Sequence, residues 1–499
     1  MDVSFLTTIF GDALPIAPEL IVIIGALIAP LFYFITKDGK WSAVIAEIAI
    51  ILAAAVAALA LMEESIQGTY MGLFSLDAFS ALMMLLFLTV VGLVVFISPQ
   101  SAETTKRSAG EYYALLLVAL AGMLFVASSN NLLTIFIGVE TVSISSYALA
   151  AMKKNDPRAA EAGVKYLIIG GLSSGLTLYG ISMIYGLTGT INLAEIGAAI
   201  GGMSTWNFPF LIGLIAMIAG YGFKISAVPF HMWAPDVYEG AATPVSTFLA
   251  TGSKKMGFVV LFKIFLVLFV VANATKFGTE EMQYIFAFIA AITMTVGNIV
   301  AISQENIKRM LAYSSIAQAG YIMIALAVMS QYALTGGLFH MFTHVFMKGG
   351  AFIIVAALIT AGLGENISDY KGLAKRAPLV SACMLIFLFS LAGIPPLAGF
   401  MSKFVLFSSA IYVDGAVVTK WLWLGLIAVL NSAISLYYYA RVVKAMYVDA
   451  GESTEKIKIK STHMIAMLIC LVFVIYLGLF PDALIDACSK AADVLFGLV

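Results

Sequence analysis

Charge is scarce in this 499-residue chain. Asp, Glu, Lys and Arg together make up 11% of it, while 62% is hydrophobic, and the mean hydropathy is +1.02. Soluble domains are about a quarter charged, so a soluble enzyme is excluded. Cysteine is scarcer still. Cys383, Cys470 and Cys488 form no CxxC pair, which leaves no iron–sulfur or zinc framework. No glycine-rich dinucleotide fingerprint and no phosphate-binding loop opens a strand–helix unit. Any redox cofactor coupled to this chain belongs on another one. The N-terminus carries Asp2 and Asp12 where a cleaved leader would carry basic residues, so the chain is expected to insert as it stands.

Long apolar runs dominate what remains. They recur from residue 16 to residue 485, and about 20 apolar residues span the hydrocarbon core as a helix. They lack the two-residue alternation of a transmembrane barrel. The expectation is an all-α polytopic membrane protein of about fourteen spans. Among them are span 5 (132–151), span 7 (208–238), span 8 (245–271), span 11 (333–361) and span 12 (379–413). Loop charge alternates with them. Seventeen Lys and Arg fall on one side, among them Lys37, Lys40, Lys106, Arg107, Lys153, Lys308, Arg309 and Lys375. Only Lys276, Lys420 and Lys490 fall on the other. The basic side reads as cytoplasmic, with both termini outside.

Seven lysines remain inside spans: Lys165, Lys224, Lys254, Lys255, Lys263, Lys348 and Lys403. Glu140 is counted as the acid among them. A lysine at mid-bilayer costs roughly 2.5–3.5 kcal/mol on insertion scales, so such residues by default mark an ion or proton pathway. Lysine suits relay because removal from water weakens its hold on a proton and a nearby carboxylate restores it. Glu140 in span 5 and Lys224 in span 7 are expected to form a switchable pair. Proline breaks a helix, and broken spans survive where protein or water satisfies the backbone. Pro229 breaks span 7 just after Lys224, with Pro235 and Pro244 following. Pro395 and Pro396 break span 12 just before Lys403. Spans 7 and 12 are five apart, so spans 4–8 and 9–13 read as inverted repeats. This divides the chain into 1–110, 111–271, 283–445 and 446–499. His340, His344 and Lys348 fall on one stripe of span 11, where histidine can pass protons near neutral pH.

Plainer readings stand beside these. Lys165 reads as snorkelling to the headgroups, and Lys263 as a structural salt-bridge partner. Lys254 and Lys255 point about 100° apart, and Lys254 is favoured as the one facing the channel. His340 and His344 have metal spacing but no evident third ligand.

Four stretches carry a family resemblance: EAGVKYLIIGGLSSGLTLYGISMIYGLTGT (161–190), VPFHMWAPDVYEGAATPVSTFLATGSKKMGF (228–258), QENIKRMLAYSSIAQAGY (304–321) and LAGIPPLAGFMSKF (391–404). They resemble the N-type antiporter-like membrane subunit of respiratory complex I. The resemblance covers nearly the whole chain. It implies fourteen helices, two inverted five-helix repeats, broken helices 7 and 12, and a central polar axis. It implies that Glu140, Lys224, Lys254 and Lys403 are relay residues. It also implies sister antiporter-like and other membrane subunits as partners, with no nucleic acid. FMN or FAD, iron–sulfur clusters and quinone or methanophenazine are expected on those partners. Two departures stand out. Lys255 doubles the helix-8 lysine. HVFMKGGAF (344–352) looks more like the sister subunits and archaeal relatives that oxidise a reduced deazaflavin. The function expected is proton translocation in a redox-driven complex. The alternatives are a cation/proton antiporter, which would use the same lysines, and a scaffold subunit, which would not need them.

Overall fold

The computed structural model describes residues 4–104, 108–205, 207–271, 277–413, 416–451 and 453–497. Asp2 and the loop cations Lys106, Arg107 and Lys276 lie outside the described residues. Twelve helices among the described residues are long and apolar enough to cross a membrane. Two further apolar stretches bring the described total to fourteen: 243–271, a helix whose turns change from α to π and back, and the two short helices Pro378–Ala392 and Ala398–Ser408, which divide span 12 as expected.

Leaving aside the short helices Ser4–Phe10 and Leu193–Gly201, the helices in chain order begin with α1 (Ala17–Thr36), α2 (Gly39–Met62), α3 (Ala78–Ile97) and α4 (Ala109–Ser128). Next come α5 (Leu132–Ala150), α6 (Pro157–Thr188) and α7 (Phe208–Ile225), which resumes after a break as α8 (Trp233–Gly240). Helix α9 runs over 243–271 and contains two wide π-type stretches, Leu249–Ser253 and Phe262–Val271. Then follow α10 (Thr279–Ile302), α11 (Ile307–Val328), α12 (Gln331–Thr360) and the two-part span α13 (Pro378–Ala392) and α14 (Ala398–Ser408). The chain closes with α15 (Leu422–Tyr447), α16 (Ser461–Leu479) and the short α17 (Asp482–Leu495). A small antiparallel hairpin, Gly68–Tyr70 on Phe74–Leu76, joins α2 to α3.

Short polar side chains start these helices. Asp77 caps α3 in a reciprocal box with Ser80, and Asn131, Asp156, Asn306 and Ser330 accept from the first free N–H groups of α5, α6, α11 and α12. Each cap satisfies donors that lipid cannot. The centre of the bundle is set by α11 and α12. In each, 94% of the apolar window is buried, against 28% for the span containing α1.

The alternation of loop charge has a structural counterpart. Ion pairs and hydrogen bonds join the ends of α3, α5, α6, α8, α11 and α12 on one face: Lys153 to Glu103 and Asp156, Arg158 to Glu365, Arg309 to Asp236 and Glu239. This is the lysine-rich face. On the opposite face Lys420 pairs with Glu280.

Both broken spans use the same local grammar. The first half ends in a left-handed residue, Ser226 (φ 57°) after α7 and Gly393 (φ 93°) after α13. Ala227 then donates to Gly222 O, and Ile394 to Phe389 O. This is a left-handed helix stop, commonly followed by proline, and Pro229 and Pro395 follow. The carbonyls freed at each stop are taken by a side chain from the far half. Trp233 Nε1 donates to Phe223 O at 2.9 Å. Lys403 Nζ donates to Leu391 O at 2.7 Å and Ala392 O at 3.1 Å.

Two readings of the charged residues need correction. Glu140 is not the sole acid within the spans: Glu19 lies fully buried in α1 and Glu47 partly buried in α2. Lys308, counted as a loop charge, is the second residue of α11 and is fully buried. Its place behind the Asn306 cap carries it into the bundle.

Candidate functional site

Six lysines and two histidines that the sequence singles out are buried inside the bundle: Lys224, Lys254, Lys255, Lys263, Lys348, Lys403, His340 and His344. Lys165 is not among them. Its side chain is 40% exposed and pairs with Glu161 and Asp236, both at 2.6 Å, so it belongs to the lysine-rich face.

Glu140 and Lys224 face one small cleft lined also by Ser143, Ser173 and Ser174. They make no direct ion pair. Glu140 accepts from Ser174 Oγ at 2.6 Å, and Lys224 donates to Ser143 Oγ at 3.0 Å. Two hydroxyls therefore stand between the charges, close enough for Glu140 to act on the lysine electrostatically. The last turn of α7 holds Lys224, with its ammonium 5.9 Å from the Tyr166 ring. Tyr166 stacks on Trp233 at 4.4 Å, so the helix break and the lysine share one aromatic wall.

Helix α9 carries Lys254 and Lys255 directly after its first π stretch, and both are fully buried. Neither can be preferred on exposure. Among the described residues Lys254 Nζ has no hydrogen-bond partner, and it sits 5.5 Å from the Tyr238 ring. Both ring nitrogens of His344 are likewise without a protein partner. Lys254, Lys255, Lys348 and His340 are all near enough to His344 to interact electrostatically. Among the described residues these bases have no carboxylate as an electrostatic neighbour. A proton on one repels a proton on the next, so their titration is coupled. Buried polar groups without protein partners are the places that water serves.

From His340 the contacts become continuous. Its Nε2 lies 2.9 Å from Gln318 Oε1, and Gln318 Nε2 donates to Leu391 O at 3.1 Å. The amide nitrogen is thus committed to the carbonyl, so the amide oxygen faces the ring and Nε2 carries the hydrogen. Lys403 donates to the same Leu391 O, and to Ser432 Oγ at 2.9 Å. His340 Nδ1 lies 2.9 Å from Ser402 Oγ. Lys348 donates to Ser314 Oγ at 2.6 Å, and Ser314 shares a short hydrogen bond with Tyr439. A cavity of about 600 Å³ reaches Lys403 between α14 and α15, walled mostly by apolar side chains such as Phe404, Leu426 and Val429.

Lys263 has a different occupation. It donates to Ala127 O at 2.5 Å, to Ser129 O at 2.8 Å and to Asn130 Oδ1 at 3.4 Å. It therefore caps the C-terminus of α4, where a cation is favoured. No direct ion pair to it is present among the described residues. No group of three or more potential metal-holding side chains occurs among them either.

Sequence reasoning passed over Ser143, Ser174, Gln318, Ser314, Tyr439 and Ser432. Small polar residues are common in membrane helices, and their types carry no signal of which ones meet a lysine. Gln318 was the most visible: an amide inside SSIAQAGY, deep in a span, needs partners for both of its ends.

Comparison with known proteins bears on this geometry. Residues 129–435 match the family described as NADH:quinone oxidoreductase/Mrp antiporter, TM. The F(420)H(2) dehydrogenase subunit N of Methanosarcina mazei is 43% identical over 431 residues, 84% of this chain and 85% of that protein. The NADH-quinone oxidoreductase subunit N of Desulforamulus reducens is 41% identical over 424 residues, 85% of this chain and 86% of that one. Among solved structures, a chain of respiratory complex I from Thermus thermophilus superposes with a TM-score of 0.79 at 28% identity. The match covers 95% of this chain and 99% of that one.

Proposed function

We propose, from the premise that the chain belongs to the NADH:quinone oxidoreductase/Mrp antiporter family, that it is the N-type proton-translocating membrane subunit of a complex I-type pump. It is the membrane part of a translocating oxidoreductase whose electron transfer takes place on other subunits. FMN or FAD, the iron–sulfur clusters and the quinone or methanophenazine belong to those partners. The complex sits in a prokaryotic cell membrane, with the lysine-rich face inside and both termini of this chain outside. The relatives' names favour this over a cation/proton antiporter acting on its own.

Protons pass along the buried bases in order. Glu140 biases Lys224 across the Ser143–Ser174 cleft. Lys254 and Lys255 exchange with His344 and Lys348 through water. Gln318 fixes His340 beside the carbonyl that holds Lys403, the last member, and the proton itself crosses between the two bases through water, because a carbonyl that accepts from two donors has none to give. Helices α4–α9, with 111–271, form one five-helix unit, and α10–α15, with 283–445, form its inverted counterpart. The shared stop-then-proline grammar of the two breaks supports that pairing. Residues 1–110 and 446–499 flank the two units.

The observation that carries the reading is the hydrogen-bonded run from His340 through Gln318 and Leu391 O to Lys403. A scaffold has no use for a buried ammonium at the end of such a run. The experiment is Lys403→Ala in the native complex, reconstituted in proteoliposomes. Fewer protons per electron pair are expected with the partner chains still assembled. Unchanged stoichiometry would overturn the role.

A further inference from the structure

Lys308 is a buried cation that the relay does not use. It lies in the first turn of α11, yet its ammonium reaches the turn between α8 and α9. It donates to Glu239 O at 2.7 Å and to Ala241 O at 2.8 Å. Two carboxylates share it: Glu365 Oε1 at 3.4 Å and Glu103 Oε1 at 4.0 Å. Glu103 grips the same turn from the other side, its Oε2 accepting from Thr243 N at 2.9 Å. Lys153 holds the remaining oxygen at 3.3 Å. Burial works against ionisation of Glu103, but Lys308, Thr243 and Lys153 outweigh it and hold its carboxyl below the usual range. A solvated loop pair would take none of these positions.

The turn at 240–243 thus has its carbonyls held by a residue of the second half of the molecule and its N–H by a residue from the end of α3. Thr243 begins α9, and Lys254 lies eleven residues further along that helix. At 1.5 Å per residue this is a lever of roughly 16 Å. Its far end meets His344 and Lys348 on α12.

We propose that Glu103 and Lys308 are positioning residues: a charged latch on the 240–243 turn that sets the placement of Lys254 and Lys255 against His344 and Lys348. The latch rests on the relay reading above, because placement matters only if protons cross between those groups. It lies on the lysine-rich face, remote from Lys403, and makes no contact with the relay lysines.

The test uses the intact complex in proteoliposomes. It measures co-purified partner chains, electron-transfer rate and protons moved per electron pair. Glu103→Gln removes the charge. Thr243→Pro removes the N–H the carboxylate holds, at a helix start where proline is accepted, together with a buried hydroxyl that has no hydrogen-bond partner among the described residues. Arg158→Gln, which loses the exposed contacts to Asp156 and Glu365 but does not hold the turn by its side chain, is the control. Lys254→Met reports on the relay itself. The latch predicts that Glu103→Gln and Thr243→Pro assemble, transfer electrons at the parent rate and lose as many protons per electron pair as Lys254→Met, while Arg158→Gln matches the parent. If Lys254→Met loses protons and the two latch variants do not, the latch is wrong and the relay stands. If Lys254→Met pumps as the parent does, the relay reading fails first. Loss of assembly in both latch variants, or a fall in electron transfer with an unchanged proton ratio, would reduce Glu103 to a structural brace.

Discussion

Gly393→Ala isolates the seating of Lys403 from general damage to the fold. Gly393 has φ 93°, and an added Cβ would lie 3.1 Å from Lys403 Cδ and 3.4 Å from Ser432 Oγ. Gly362 has almost the same backbone angle, φ 92°, but nothing within 4 Å of an added Cβ. Both alanine variants place a side chain in left-handed backbone, which costs about 1–2 kcal/mol. Only Gly393→Ala also pushes the Lys403 chain away from Leu391 O, Ala392 O and Ser432. Loss of one hydrogen bond of that kind adds about 1.5–3 kcal/mol, so Gly393→Ala should cost roughly two and a half times as much as Gly362→Ala. The Lys403 chain has to give by a few tenths of an ångström; since a misplacement of about 1 Å in a reacting group can cost on the order of a hundredfold in rate, a smaller but measurable loss is expected. The assay pairs thermal denaturation of the purified complex with proton uptake by proteoliposomes at matched electron-transfer rates. Gly362→Ala should melt slightly earlier and pump normally, whereas Gly393→Ala should melt earlier still and pump measurably less. Equal pumping in the two variants would refute the claim that the seat of Lys403 matters.

Three further outcomes are expected. Gln318→Leu breaks the link between His340 and Lys403 and strands His340 Nε2–H at about 1–3 kcal/mol, while Leu391 O keeps Lys403; single-turnover proton release should slow while assembly persists. Trp233→Phe keeps the stack on Tyr166 but removes one of the two donors to Phe223 O, the other being Ser226 N, and should lower the denaturation midpoint by an amount equivalent to about 0.5–1.5 kcal/mol. Glu103 is held below its ordinary value near 4.5, so its contribution is fully present above that value and is lost as pH falls through the lowered one. The gap in denaturation midpoint between parent and Glu103→Gln should therefore be widest near neutral pH and close in acid; a gap that widens in acid would reverse the sign and sink the assignment.

Much of the architecture was legible in the residue order. Apolar runs gave the spans because lipid demands them, and Pro229 with Pro395 and Pro396 gave both breaks because proline cannot continue a ladder. Lys224 and Lys403 stood out because hydrocarbon makes a cation costly. What stayed hidden was decided by tertiary placement. Lys308 looked like a loop charge because it lies two residues past a cap, and only the fold shows the carbonyls waiting for it. Glu19 and Glu47 were overlooked in helices that read as plain anchors. The cleft is assembled from three helices, with Glu140 and Ser143 on α5, Ser173 and Ser174 on α6 and Lys224 on α7, so no spacing in the chain could bring the whole set together. Lys254 and Lys255 could not be ranked by helical angle, since α12 and its neighbours cover both directions.

The company kept by Lys403 and Lys224 is neutral: backbone carbonyls and serine hydroxyls, with no carboxylate in direct contact. An amine that has given up its proton still owns two N–H groups, enough to stay moored to such oxygens. A lysine clamped by an acid would lose its main attraction on discharge and swing away. Here emptying and refilling need not be accompanied by travel, so the side chain can serve repeated cycles from one berth.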